Sequence, residues 1–399
     1  MNESIERFIR YVKVDTQSND NSNLTPSDPK ELNLTKMLLK ELEEMGINGE
    51  IDEYGRLYAH LDGEKGLDKI GLNSHVDTAL ECSGKDVKPQ YVSTYDGGTI
   101  RLNDTYSMSP KEFPSLARHI GEDLIVTSGD TLLGGDDKAG LAIIMSALHY
   151  FVSHKEIKHH PISILFTPDE EIGRGPEHFN REKFGADYAY TIDGDYIDQI
   201  DIETFNASHA DITIHGISIH PGEAKGKMVN ASRLIGEFDS LLSPSERPEL
   251  TDGHEGFNHL VSATGSVDEA NLHYIIRNHD RAKLEKQKRE FLEAKEKLLA
   301  KYPGIKIELT IKDDYRNMYE VLKNDDRAIK HAEKVYRSLG INPKHVPIRG
   351  GTDGASFSFM GCPTPNLGTG SYNHHGRFEY LSVSDFEKMI EIVIALLKA

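Results

Sequence analysis

Ile162-Ser163-Ile164-Leu165-Phe166-Thr167-Pro168-Asp169-Glu170-Glu171 joins an apolar run to three consecutive carboxylates. The run has the length and residue types of a buried or half-buried strand. Pro168 cannot continue a central ladder, so the acids are expected where that strand stops. Three acids at a strand end repel one another. Water can screen them as an exposed acidic turn, or a divalent cation among them can neutralise them.

Working outward, other segments end in the same way. Ile70-Gly71-Leu72-Asn73-Ser74 reads as a short strand that delivers His75-Val76-Asp77. On extended chain His75 and Asp77 project to one side, so the acid can hold one ring nitrogen while the other faces a metal. Leu132-Leu133-Gly134-Gly135-Asp136-Asp137 reads as the end of a strand, followed by a helix rich in Ala, Ile and Met through about residue 152. One acid there would suffice to complement the helix dipole, and there are two. Tyr190-Thr191-Ile192-Asp193-Gly194 again ends in an acid and a glycine. Strands alternating with helices predict an α/β sheet, whose ligands bind at the carboxyl ends of the strands. His75, Asp77, Asp136, Glu170, Glu171 and Asp193 together therefore read as a metal site.

Composition bounds what such a site serves. A chain of 399 residues exceeds one comfortable core and predicts more than one domain. Lys and Arg number 46 against 65 Asp and Glu, a net charge of −19 that argues against nucleic acid or an acidic membrane as partner. No apolar run is long enough to span a bilayer. Met1-Asn2-Glu3-Ser4-Ile5-Glu6 lacks the basic and apolar regions of a secretory signal, and Cys82 and Cys362 are too few for a disulfide framework. The expectation is a soluble cytoplasmic protein; a homodimer is compatible with it.

Residues 3–12 and 31–45 read as helices, with Leu34, Leu38, Leu42 and Met45 on one face of the second, and 16–29 as a polar loop. The texture changes after Thr204. A strand over 209–219, a helix over 229–242, strands over 260–267 and 270–276, a charged helix over 280–301 and an alternating strand over 305–312 give the order βαββαβ. That is a ferredoxin-like α+β unit, inserted over 206–312. The stripe expected to bury the charged helix is Leu284, Phe291, Leu292, Leu298 and Leu299. Helices at 325–339 and 386–397 and a short strand at 365–368 return the chain to its first domain.

The motifs, taken in order, resemble one known family. They are Ser74 to Thr78 (SHVDT), Leu132 to Gly140 (LLGGDDKAG), Phe166 to Glu171 (FTPDEE), the stretch from His220 (HPGEAKGKMVNA), that from His273 (HYIIRNHDR), Pro347 to Ala355 (PIRGGTDGA) and Tyr372 to Gly376 (YNHHG). The chain is similar over nearly its whole length to the two-zinc exopeptidases and deacylases, the group that includes carboxypeptidase G, aminoacylase and tripeptide aminopeptidase enzymes. The resemblance implies a mixed-sheet zinc-exopeptidase catalytic domain in two parts, 1–205 and 313–399, with the inserted domain as a lid. It implies two Zn2+ per chain, with Mn2+ or Co2+ as substitutes, and a small peptide as substrate. By it, His75, Asp136 and Asp193 hold one ion and Asp136, Glu171 and His375 the other. Asp136 bridges, Glu170 is the general base and Asp77 orients His75.

Neighbours on extended chain point apart, so Glu170 and Glu171 are not expected to serve one ion; one binds and the other stays free as base. His374 stands beside His375, and the residues alone leave open which is the ligand. The resemblance further implies substrate contacts at His220, Asn230, Arg277 and Arg349. His220 can equally be a turn residue before Pro221, and each arginine, placed in the inserted domain (Arg277) and the catalytic domain (Arg349), can equally be a structural ion-pair partner.

Overall fold

The computed structural model describes residues 2–399. Contacts divide the chain into two compact units. The first comprises the chain up to Ile202, Met318–Val346 and Thr352–Ala399; the second comprises Glu203–Asn317 and Pro347–Gly351.

A seven-stranded mixed sheet forms the first unit, in the order Gly49–Ile51, Leu57–Leu61, Ile162–Thr167, Ile70–His75, Tyr188–Gly194, Asn366–Gly368, Ile200–Asp201. The four middle strands run parallel, and the flanking ones pair antiparallel to them. All six residues of Ile162–Thr167 are buried, because the strand is central and covered on both faces. The adjacent parallel strand Ile70–His75 is equally buried, so the ends of these two strands and of Tyr188–Gly194 open on the same edge of the sheet.

Helix Gly135–Ser153 packs on Ile70–His75 and Tyr188–Gly194 and is in turn covered by Glu3–Val12 and Val383–Leu397. Being enclosed on all sides, it is apolar nearly all round. Leu132–Gly134 is loop, not the end of a strand as its sequence suggests. The preceding strand, Leu124–Val126, belongs to a separate small antiparallel sheet.

The second unit is a four-stranded antiparallel sheet in the order Phe257–Gly265, Glu269–Asn278, Asn206–His215, Lys306–Tyr315, with helices Ala231–Ser240 and Arg281–Lys301. Its element order is the βαββαβ read from the sequence. Ile212, Ile214, Leu234, Phe238, Tyr274, Phe291 and Leu298 fill its core. On the long helix the buried face is Leu284, Gln287, Phe291, Ala294 and Leu298, whereas Leu292, expected in the stripe, is 49% exposed. Gln287 is accommodated because Asn278 donates to its amide oxygen and its own amide donates to Asn258.

This unit is wider than the expected 206–312. Its extra piece, Pro347–Gly351, is tied in by the Ile348 N–H to the Glu203 carbonyl and the Phe205 N–H to the Gly350 carbonyl. Arg349 therefore lies in the second unit, not in the catalytic part to which its sequence position assigned it. Among the described residues no helix is long and apolar enough to cross a membrane.

Close packing of the central helix has a direct test. A Cβ on Gly140 would sit 2.0 Å from the carbonyl oxygen of Ile192 and 2.4 Å from Asp137 Oδ1. Backbone cannot yield there, so Gly140→Ala should lower stability by about 1–3 kcal/mol, seen as a reduced denaturation midpoint. An unchanged midpoint would contradict this packing.

Candidate metal centre

Asp136 sends its two oxygens in different directions. Oδ1 lies 2.9 Å from His75 Nε2, and Oδ2 lies 3.3 Å from His375 Nε2. Around the first contact, His75 Nε2 is also 3.5 Å from Asp193 Oδ1; around the second, His375 Nε2 is 3.1 Å from Glu171 Oε2. Ligand atoms of His75, Asp136 and Glu171 all fall within 4.8 Å of one another, as do those of His75, Asp137 and Asp193. The structure thus gathers His75, Asp136, Glu171, Asp193 and His375 at the carboxyl edge of the sheet.

Each side chain has an identifiable cause for its position. Asp77, fully buried, places Oδ1 3.2 Å from His75 Nδ1, the side opposite Asp136. Its two oxygens also accept the backbone N–H groups of Glu170 and Glu171, and its carbonyl lies 3.1 Å from His75 Nδ1, so the one residue orients both the histidine and the acidic turn. That turn is not extended chain, as the argument for divergent neighbours assumed. Asp169 adopts φ 61° and Glu170–Ile172 is a single 3-10 turn.

Asp169 itself faces away from the centre. Its carboxylate accepts the Ser27 N–H and pairs with Arg174 at 3.3 Å. The three consecutive acids therefore divide into one structural residue and two at the site.

The Asp136-Asp137 pair divides similarly. Asp137 Oδ1 accepts the Gly140 N–H in the first helical turn, and Oδ2 accepts the Ser74 hydroxyl and the His75 N–H. Asp136 is left to face the histidines. Asn373 and His375 adopt φ of 58° and 62°, and with this left-handed backbone the adjacent His374 and His375 both approach Asp136 Oδ2. His374 Nδ1 lies 3.4 Å from that oxygen and 3.3 Å from Asp195; His375 alone of the two also meets Glu171.

Two acids escaped the sequence reading. Glu379 is buried and accepts the N–H groups of Leu133 and Gly134, each at 2.7 Å, and of Asp136 at 2.9 Å. It holds the whole glycine loop that presents Asp136. Asp353, at the start of helix Asp353–Phe359, accepts the Thr167 hydroxyl, and its charge adds to the burial that lifts the Glu170 pKa. Its sequence signal is an acid followed by glycine within the Pro347–Ala355 motif, at the start of a short helix.

The residues proposed for substrate all lie in the second unit. His220 Nδ1 accepts the Gly222 N–H across the turn before Pro221–Glu223. Asn230 precedes helix Ala231–Ser240 without capping it, and its Oδ1 is buried and unbonded. Arg277 donates to the Ser208 and Ile276 carbonyls and lies 3.5 Å from Asp314. Arg349 donates to the Gly253 and Glu255 carbonyls and to Thr251 Oγ1, over the rings of Phe205 and Phe257. Both arginines thus have structural partners within their own unit.

The donor set fits divalent ions. It is all nitrogen and oxygen, with Cys82 and Cys362 elsewhere as free thiols, and Glu171 Oε1 is buried without a partner. Burial, reinforced by the charge of Asp136, pushes Asp193 up to about 6 and Glu171 up to about 7. Burial likewise lifts Asp353 to about 7. A cation would relieve all three. A further group, His119, Glu122 and Asp385, is closed by its own protons: His119 Nδ1 lies 2.9 Å from Glu122, Ser382 donates to Glu122, and Tyr372 donates to Asp385.

Comparison with known proteins places these residues in context. Residues 134–399 match the profile of Peptidase family M20/M25/M40. A Peptidase T from Geobacillus sp. (strain WCH70) is 48% identical over 402 residues, covering 100% of this chain and 98% of that protein. The fold is similar to that of aminopeptidase PepT from Bacillus cereus ATCC 10987, with TM-score 0.77 and 23% identity over 99% of this chain and 97% of that one. It is also similar to a tripeptidase from Staphylococcus aureus, with TM-score 0.79 and 21% identity over the same shares, 99% and 97%.

The raised carboxyls set a pH dependence. Each binds its proton more tightly folded than unfolded, so its contribution to stability is complete below about pH 4 and is lost as pH rises through the values of about 6 to 7. Chelator-treated protein should lose thermal stability from about pH 5 to 8, and added divalent ion should restore most at the upper end, where protons no longer compete. Melting curves with and without ion check this; a metal-free melting temperature that climbs across the window would refute it.

Proposed function

The chain belongs to peptidase family M20/M25/M40 and is a metallo-aminopeptidase, and on that premise we propose that it releases the N-terminal residue of tripeptides at a pair of zinc ions, with Glu170 as general base. The observation that carries the two-ion reading is the divided contact of Asp136, one oxygen toward His75 and one toward His375. In this reading His75, Asp136 and Asp193 would hold one ion, and Asp136, Glu171 and His375 the other. Bound there, the ions would supply Lewis-acid activation of the scissile carbonyl and of the attacking water. Zinc suits the nitrogen and oxygen donors, and manganese or cobalt would substitute.

The remaining steps belong to the chain's own residues. Glu170 donates its N–H to Asp77, and its buried carboxyl feels the charges of His75, Asp193 and Glu171. Burial, with the charge of Asp353, raises its pKa well above the ordinary carboxylate range, so it is a stronger base than a solvated glutamate. It takes the proton of the attacking water and delivers it to the leaving amine. Asp77 keeps the His75 ring turned toward Asp136 throughout.

The tripeptide as substrate is supported by the likeness of fold to the Staphylococcus aureus tripeptidase, and release of the N-terminal residue by that to the Bacillus cereus aminopeptidase. We place the reaction in the cytoplasm, a location suited to the two free thiols. A panel of a tripeptide, a dipeptide and an N-acetylated tripeptide, offered to metal-loaded protein, tests the substrate. Release of the first residue from the tripeptide alone is expected; equal turnover of the acetylated peptide would replace this reading with that of a deacylase of the same fold.

Glu170→Gln tests the base. It should retain both ions by elemental analysis and lower kcat by about two to four orders of magnitude, since an amide cannot shuttle the proton. A fall to one ion per chain would show that the roles of Glu170 and Glu171 are exchanged.

A further inference from the structure

The loop that leaves the sheet after His75 carries a second carboxylate, Glu81, whose Oε1 lies 3.3 Å from Nδ1 of His375. His375 Nε2 meanwhile faces Asp136 and Glu171. This repeats, on the other side of Asp136, the arrangement of Asp77 on His75, where the carboxylate lies 3.2 Å from Nδ1 and Nε2 faces the centre. Both carboxylates come from one stretch, four residues apart.

The backbone around Glu81 is held independently of that contact. The amide of Gln17 donates to the carbonyl of Ala79 at 2.8 Å and to that of Cys82 at 2.9 Å, so two hydrogen bonds straddle Glu81. Upstream, the Thr78 N–H is bonded to the Thr16 carbonyl and the Ser18 N–H to the Thr78 carbonyl. Residues 16–18, in the polar loop of the sequence reading, thereby fix the segment from which Glu81 reaches His375.

We propose that Glu81 is a positioning residue that orients His375 for one of the two ions, as the counterpart of Asp77 on His75. This rests on the two-ion reading given above. A carboxylate accepting the proton on Nδ1 fixes the tautomer, leaving the Nε2 lone pair for the metal, and makes that nitrogen a better donor. The two partners differ in setting. The side chain of Asp77 is 0% exposed and also bonded to two backbone N–H groups, whereas that of Glu81 is 63% exposed and His375 44%. An exposed partner competes with water for its acceptor. The ion held by His375 is therefore the more exchangeable of the pair, and Glu81 sets how tightly it stays.

Cobalt titration of the metal-free full-length protein, followed by visible absorption and by elemental analysis after gel filtration, tests this. Wild type should take up two ions. Glu81→Ala should bind the first as wild type does and the second about 10- to 100-fold more weakly. Glu81→Gln should recover most of that loss, because its amide oxygen accepts the same proton. Wild-type affinity for both ions in Glu81→Ala overturns the inference while leaving the two-ion reading intact. Equal weakening of both ions, or a Glu81→Gln protein as weak as Glu81→Ala, also overturns it, since the effect is then one of charge and not of orientation. A wild-type protein that takes up only one ion overturns the two-ion reading and this inference with it.

Discussion

Asp136 faces three histidines at once, one at Oδ1 and two at Oδ2, and this sharing of one carboxylate decides how the surrounding unit has to be built. Its partners cannot all come from one element. His75 arrives on a central parallel strand, Glu171 on a 3-10 turn after the neighbouring strand, Asp193 near the end of a third, and His375 from a loop far along the chain. A carboxylate crowded by other acids is tolerable away from water only if its position is rigidly specified. Glu379 supplies that rigidity by gathering three N–H groups of the glycine loop, and Asp137 supplies it on the helical side. Both are themselves acids, so the unit uses carboxylates against backbone donors to hold a carboxylate against imidazoles.

Much of this was legible in the sequence because strands announce their ends. Ile162–Thr167 and Ile70–His75 are short apolar runs that stop at charged residues, and a side chain at such a stop has few places to go but the edge of the sheet. What was not legible depends on backbone turned out of the ordinary. The left-handed conformations of Asn373 and His375 bring adjacent histidines to one oxygen, and that of Asp169 sends it away from Glu170 and Glu171; Asn, His and Asp are types that tolerate such backbone, but type alone does not fix it. Glu379 and Asp353 were missed for a related reason. Their roles come from distant segments converging on them, and nothing near them in the chain reports the convergence.

In the second unit periodicity served well and failed at identifiable points. The alternating strands and the helix order came through, because each buries a regular face against its neighbour. On Arg281–Lys301, however, a hydrophobic residue and a polar one changed places: Leu292 faces solvent, and Gln287 is buried because Asn258 and Asn278 satisfy it. A stripe chosen by hydrophobicity alone cannot see a hydrogen-bonding partner two strands away. Arg349 was assigned to the wrong unit on the same grounds, since only the tertiary bonds of residues 347–351 reveal where that segment lies.

The order of these segments along the chain also governs when the protein becomes competent during its synthesis. The first unit is assembled from three stretches separated by the whole of the second unit, and its sheet holds Asn366–Gly368 between strands made far earlier. His375, Glu379 and the helix Val383–Leu397 that covers the central helix all emerge after the strands and turns that carry His75, Asp136, Glu171 and Asp193. Until they do, the glycine loop has no carboxylate to hold it and Asp136 faces one histidine instead of three. In the two-ion reading, a chain that has not yet delivered these segments lacks part of its centre, and the newly made protein becomes a peptidase only as they dock.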